Sequence, residues 1–546
     1  MPMPEPNTAW PPPAFLAAYL AYAENNAWWT GDQEELQKLY GGSHELTTHN
    51  VRNGVLQDIV RKIKDRGKGL FWGPRNVPAK PGSRQLLRSH LPAAANLATL
   101  SSDLQFAQSP TFLVPGEEPD SASERVKLMN ETMNTDRVLA GLGSYGEMKA
   151  ALGAAICIPM WDEEVAPGEV WFESFGPDTA VPEFQSGRLK AVTLWSEVQE
   201  GNVYWRLLSH HGVESGAGYV EHALFEGKRD NLGKRVDLAA HDLGAPYLDL
   251  VDSSSRVATG LSRLDAVYGI NSPTIEWRKD PYLRYAGRSD FAQLHGLFDD
   301  LDQAWSSWMR DLRLGRGRLF IPDTYLENLG RGQGAAFDEL AEYVTRVNMP
   351  GDLSDSGNMP IKGQQFEIRV EQHERTLNAT YREILRKAGF SPSAWGDGGG
   401  QDGGQITATE IDDRNAASER TRKKKNMHDR QTLGELARIM LEVQAAKYKR
   451  PGMDPDVLPV VEFPDATTES PKDVAETVTL LNAASAISLL QKVARANPGW
   501  TSKQVQDEVD QILEERGQAA PDPAALGLVL GAAQDADDEG EEDDLD

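Results

Sequence analysis

The chain is 546 residues long and sets 56 Lys and Arg against 83 Asp and Glu, a formal net charge of −27. That balance excludes a protein that coats nucleic acid by neutralising phosphates, and the single cysteine, Cys157, excludes an internal disulfide framework and any four-thiolate metal site. Ordinary globular proportions, 40% hydrophobic and 25% charged, leave room for a large core and several folding units.

In chain order, the Pro-rich leader ends at Pro11–Pro13, which suits a helix start because proline's missing N–H would be unpaired there anyway. Phe15, Leu16, Tyr19 and Leu20 give the following helix an apolar face, and Gly31 breaks it. Short helices are expected over Gln33–Tyr40 and Val55–Ile63, and Phe71-Trp72-Gly73-Pro74 reads as an aromatic turn. Residues 122–157 read as helices. From Ile156 the period changes to two, and Val170–Phe172, Leu189–Trp195, Val203–Leu208 and Tyr219–Phe225 read as an antiparallel meander divided by Gly, Pro and Asn.

Residues 290–312 carry the clearest helical signal: Leu294, Leu297, Leu301, Trp305, Trp308 and Leu312 recur at steps of three and four, one helical face. Leu319–Ile321 then reads as a strand, and Phe366, Ile368 and Val370 alternate as another. Glu371–Ala388 is helical again and Gly389 caps it. The stretch Gly396-Asp397-Gly398-Gly399-Gly400-Gln401-Asp402-Gly403-Gly404 is too rich in glycine to pack. A long polar helix runs from about Thr407 to Lys449, a helical pair covers Asp465–Asn497 and Ser502–Arg516, and residues 535–546, with nine acids and no base, read as a solvated disordered tail. The fold class is α+β. The longest apolar stretches, near 152–161 and 524–533, are too short to span a bilayer, and no basic residue precedes Lys38 as a signal peptide would require. The expectation is a soluble chain, intracellular at synthesis.

No motif carries catalytic chemistry. Gly141-Leu142-Gly143-Ser144-Tyr145-Gly146 matches G-x-G-x-x-G but lacks the preceding strand and the βαβ unit, so a helix-capping turn is the better reading. His44 and His49 are one residue too far apart for H-E-x-x-H, since i and i+5 diverge by about 140° on a helix. His210-His211 would point to opposite faces of a strand and reads as a pair of polar residues on the surface. Arg420, Arg422, Lys423, Lys424 and Lys425 form the one dense basic run, read first as a solvated face or as ion pairing with a neighbouring acidic subunit, and second as phosphate contact; Arg313, Arg316 and Arg318 are ambiguous in the same way. No catalytic, cofactor-binding or metal-ligating residue is assigned.

The order of these elements resembles the portal proteins of tailed bacteriophages, the head-tail connectors of the branch common in phages of actinobacteria. The stretches that carry the resemblance are Phe71-Trp72-Gly73, Pro182-Glu183-Phe184 with Gly187, Leu189 and Ala191 through Trp195, Leu301 through Asp311, Thr407 through Ile411, and Glu476-Thr477-Val478 with Ala486-Ile487-Ser488. The resemblance implies a portal-type fold: a wing of helices plus a β-meander over 1–289, a first stem helix at 290–312, a small α/β clip at 313–370 and a second stem helix at 371–388. A tunnel loop at 389–406, facing DNA through residues 396–404, a long wing helix and return at 407–464 and a helical crown at 465–516 would follow, with the acidic tail at 517–546. It also implies a non-enzymatic homo-oligomeric ring, typically of twelve subunits, at the capsid vertex of the virion and in the host cytoplasm during assembly. Such a ring is the channel for packaging and ejection of double-stranded DNA. Its partners would be the terminase large subunit, head-completion or adaptor proteins, the major capsid protein and scaffold, with no cofactor and no membrane. The alternatives are another virion adaptor or scaffold oligomer, or a metal-dependent hydrolase built on His44 and His49.

Overall fold

A computed structural model describes residues 3–41, 70–73, 88–119, 121–315, 318–322, 344–347, 362–364, 368–395, 408–450, 457–464, 471–497, 500 and 502–515. The chain divides into two compact units, Met1–Pro464 and Asp465–Asp546. The expected helix at Val55–Ile63, His44 and His49, Arg316, Phe366, the glycine-rich stretch 396–404 and the acidic tail lie outside the described residues.

The first unit opens with α1 (Leu16–Thr30) and α2 (Gln33–Gly41), and Gly31, expected to break the first helix, does so in a left-handed conformation. Next comes α3 (Ala93–Phe106), to which the sequence reading assigns nothing. It is buried nearly all round, Ser101, Ser102 and Gln105 included, so no polar face marks its period. Strand β1 (Thr111–Leu113) leads to α4 (Glu124–Thr132) and α5 (Asp136–Leu152), each started by a hydroxyl cap: Ser123 Oγ accepts from Val126 N and Thr135 Oγ1 from Val138 N. The change to strand period comes at Ala154, two residues before the expected Ile156.

The sequence G-x-G-x-x-G proves to be the interior of α5, not a capping turn. Two of its glycines serve close packing: a Cβ on Gly146 would stand 2.5 Å from Ser102 Oγ and 2.8 Å from Phe106, and one on Gly141 3.0 Å from Phe172.

The sheets are antiparallel in this half. Strand β2 (Ala154–Met160) pairs with β3 (Trp171–Phe175) and, on its other side, with β10 (Val267–Ile270). The meander runs β4 (Ala180–Gln185), β5 (Arg188–Glu200), β6 (Val203–Glu214), β7 (Ala217–Lys228) and β8 (Asn231–Val236) in sequence order, with β9 (Arg256–Ala258) added to β7. Two of its turns, Ser186-Gly187 and Ser215-Gly216, have positive φ at both central residues. That is the turn whose twist matches the strands it joins.

His210 and His211 do face opposite sides, but neither is on the surface. His210 bonds Thr193 Oγ1 (2.9 Å) and His211 the Asp265 carboxylate (2.9 Å), both buried, because β6 is covered on both faces.

Helix α6 (His295–Leu314) begins five residues later than the periodicity suggests. Ser289 and Asp290 are occupied by the end of α5, Ser289 Oγ donating to Ala151 O (2.6 Å) and Asp290 N to Ala150 O (2.9 Å), so the helix cannot start there. Strand β11 (Arg318–Pro322) pairs in parallel with β12 (Val344–Val347) and antiparallel with β13 (Lys362–Gln364). The expected alternation through Ile368 and Val370 is not a strand: Val370 opens α7 (Val370–Ala388). Helix α8 (Ala408–Tyr448) spans 41 residues, and β14 (Val460–Glu462) returns to pair with β1.

The second unit holds α9 (Pro471–Ala483), α10 (Leu489–Ala496) and α11 (Ser502–Glu515), the last two packing through Val493, Val505 and Val509. The single helix expected over Asp465–Asn497 is interrupted because Ser485 is left-handed and Ser488 caps a new helix through Gln491 N.

Candidate functional site

The features singled out by sequence converge on α6, α7 and α8. Of the predicted stripe on α6, Leu294 and Leu301 are buried and Leu297, Trp305 and Trp308 pack partly buried against the same core, whereas Leu312, at the far end, is 39% exposed. Helix α7 answers with Leu377, Ile384 and Leu385. The pair is antiparallel, as side chains at the end of α6 and the start of α7 show. Asp311 accepts from Arg369 (2.8 Å) and bonds His373 (2.9 Å), and the His373 ring stacks on Trp308 at 6.0 Å. These bonds to His373 and Arg369 hold the Asp311 carboxyl below its usual range.

Between the apolar positions, α6 carries a polar clasp that the sequence reading does not single out. Asp299 accepts from the backbone N–H groups of Phe71 (2.6 Å) and Trp72 (3.1 Å). Asp302 accepts from the Trp72 indole (2.9 Å) and Leu91 N (2.8 Å) and bonds His90 Nδ1 (2.8 Å). Ser306 Oγ accepts from Ser89 N (2.9 Å). Both carboxylates are buried, and burial pushes Asp299 up to about 6 against the pull of its two N–H donors. Arg88 closes the turn from outside, donating to the carbonyls of Trp72 and Gly73. The signal was present as Asp299, Asp302 and Ser306 at steps of three and four, a strip of their own beside the apolar face.

The other end of α7 meets α8. Gly389 is left-handed, its carbonyl accepts from Thr421 Oγ1 (2.6 Å), and Ser391 bonds Ser418 (2.7 Å). Here the basic run is corrected in part. Arg422 and Lys425 are not solvated: Arg422 donates to Pro464 O, and Lys425 bonds Ser101 Oγ and Asp290 Oδ2 (each 2.5 Å) beneath the Phe390 ring. Burial holds Lys425 below its ordinary value. Arg420, Lys423 and Lys424 are exposed on the opposite side. One turn on, Asp429 receives Lys149, the Tyr145 hydroxyl (2.8 Å) and Gln105 Nε2 (2.8 Å), a fully buried cluster tying α8 to α5 and α3.

Arg313 is exposed at the α6 end of the helix pair, roughly 30 Å from the 420–425 run by helix rise, so the two basic groups do not come together. Strand β11 begins at Arg318, whose side chain is outside the described residues. Among the described residues no three His, Cys, Asp or Glu side chains converge as a metal site, and no helix is long and apolar enough to cross a membrane.

No curated protein matches the chain. Residues 273–522 match the family model described as phage portal protein, SPP1 Gp6-like, a span that takes in α6, α7, α8 and the helices of the second unit. The portal family is structural, not enzymatic in general. From the turn before α6 to beyond α11, therefore, the chain is similar to the SPP1 Gp6-like phage portal proteins, the family that its order of elements resembles.

Proposed function

We propose that the chain is the subunit of a portal ring, a structural conduit at one capsid vertex through whose axis double-stranded DNA is packaged and ejected. The observation that carries this reading is the match over residues 273–522. Support comes from the antiparallel α6–α7 pair, about 30 Å long, whose two helices are separated in sequence by the three-stranded sheet β11–β13 and followed by the glycine-rich 396–404 sequence and the long α8. In this reading α6 and α7 are the stem, the insert is the clip on which terminase and then head-completion proteins dock, and 396–404 faces the duplex. The long α8 lies behind it and 465–516 forms the crown. Asp397 and Asp402 would repel phosphate, and a channel that lets DNA slide is better served by weak contact than by counterion-releasing lysines and arginines.

Negative-stain electron microscopy of the purified chain tests this. Rings with an axial hole of duplex width are expected. A strict monomer or dimer at every concentration refutes the reading.

A further inference from the structure

We propose that the exposed face of α8 between Arg420 and Arg430 docks on the acidic turn 162–169 of a second copy of this chain. The proposal rests on the ring reading above and specifies which surfaces build the ring.

The two surfaces are complementary. On α8, Arg420, Lys423, Lys424, Met427 and Arg430 are exposed and fall within an arc of about 120°, opposite the buried Arg422, Lys425 and Asp429. Among the described residues none of these four cations is in an ion pair, whereas their buried neighbours Arg422 and Lys425 both are. A solvated helix face normally interleaves opposite charges three and four apart; here like charges stand at those spacings, which disfavours the helix unless something outside neutralises them. Met427, 70% exposed, sits in the middle of the stripe.

The acidic turn has the opposite make-up. Asp162, Glu163 and Glu164 are exposed and in no ion pair among the described residues, and Val165 beside them is 73% exposed. Asp162 Oδ1 accepts from Glu164 N (2.8 Å) and Val165 N (3.0 Å), which fixes the turn with Val165 outermost. Each surface is thus an apolar residue ringed by one sign of charge, the composition of a small interface core with a polar rim.

They cannot meet within one chain. The turn is held against the end of α8: Gln444 Nε2 donates to Gly168 O (3.3 Å) and the Lys447 ammonium lies 4.9 Å from the Trp161 ring. Even from Arg430 to Gln444 the helix rises roughly 20 Å, against a screening length of about 8 Å in physiological salt. The same helix therefore carries the basic half of the contact and the anchor of the acidic half, held apart. Joining different patches on identical subunits is a heterologous contact, the kind that closes into rings.

The test uses the full chain, with ring formation read by light scattering and negative stain across concentration and salt. Lys423→Glu with Lys424→Glu, and separately Glu163→Lys with Glu164→Lys, should each raise the concentration needed for rings about tenfold or more. Combining all four substitutions should restore assembly, which a folding defect would not allow. Two impaired double variants whose combination stays impaired overturn the pairing. Wild-type rings accompanied by normal rings from either double variant overturn the interface and leave the ring reading standing. Rings that form normally from Lys423→Glu with Lys424→Glu but lose affinity for duplex DNA overturn it in favour of phosphate. A wild-type chain that never assembles overturns both.

Discussion

Gly143 and Gly146 stand three residues apart in α5, inside the same G-x-G-x-x-G, and answer to different neighbours. A Cβ on Gly143 meets nothing within 4 Å, while one on Gly146 would run into Ser102 and Phe106 of α3. Gly143→Ala should therefore raise stability by about 0.5–1 kcal/mol, the usual gain when a mid-helix glycine is replaced. Gly146→Ala should cost about 1–3 kcal/mol through overpacking. Urea midpoints of the two variants check this, and equal shifts would mean that α3 and α5 do not approach as closely as described. The motif that looks like a phosphate cradle in sequence is thus a point of close helix contact, and only the packing partner, more than forty residues away, distinguishes the two.

At the scale of elements, α8 is anchored by polar groups as much as by its apolar run from Leu433 to Val443. Asp429→Ala would leave Lys149 buried without its partner and the Tyr145 hydroxyl without its acceptor, with Gln105 keeping only Asn426, and should destabilise by about 3–5 kcal/mol. The pairwise replacement Lys149→Met with Asp429→Leu should cost much less than the sum of its parts, because it removes both charges together. Thermal unfolding of the three variants measures the difference. The same cluster shows where sequence reading runs out. Elements with one wet and one dry face, such as α6 and α7, were legible as period, and the meander as β-branched and aromatic runs divided by turn residues. Helix α3 was not, since burial on all sides erases the contrast that period depends on. Nor were the partners of Asp299, Asp302, Arg422 and Lys425, for a buried ionised residue and a solvated one are the same letter. What made each inward-facing was a neighbour distant in sequence: Trp72 for Asp302, Asp290 for Lys425.

The whole molecule carries its charge unevenly. Nine acids fall in the last twelve residues, leaving −18 for the rest. Its stability should also respond to acid through a few buried groups. Burial pushes His210 and His222 down to about 4, while an unfolded histidine titrates near 6.5. Between those values the unfolded chain takes up protons that the native sheet refuses, so stability falls as pH drops from about 6.5 toward 4. Asp299 acts in the opposite sense. With its carboxyl raised to about 6 from 3.8, the native state binds the proton first, and stability rises as pH falls through that range. Replacing both histidines, His210→Gln with His222→Gln, should flatten the loss of melting temperature between pH 6.5 and 4. An unchanged slope would show that these imidazoles titrate normally in the folded chain.

The clasp on α6 also sets a timetable. Asp299 and Asp302 hold backbone and side chains 211 to 230 residues earlier in the chain, at Phe71, Trp72 and Leu91. Asp429, which receives Gln105, lies 324 residues after it. At synthesis rates of about 5–20 residues per second, the turn at Phe71 and the segment at Leu91, just before α3, wait roughly 10–45 s for the helix that secures them. During that wait, Trp72 and the side of α3 that meets α8 lack their native cover, although α5 can already pack on the other side, so the nascent chain exposes apolar surface long before its last helix is made. Completion of α6 and then α8, late in synthesis, is what closes the core around these early segments.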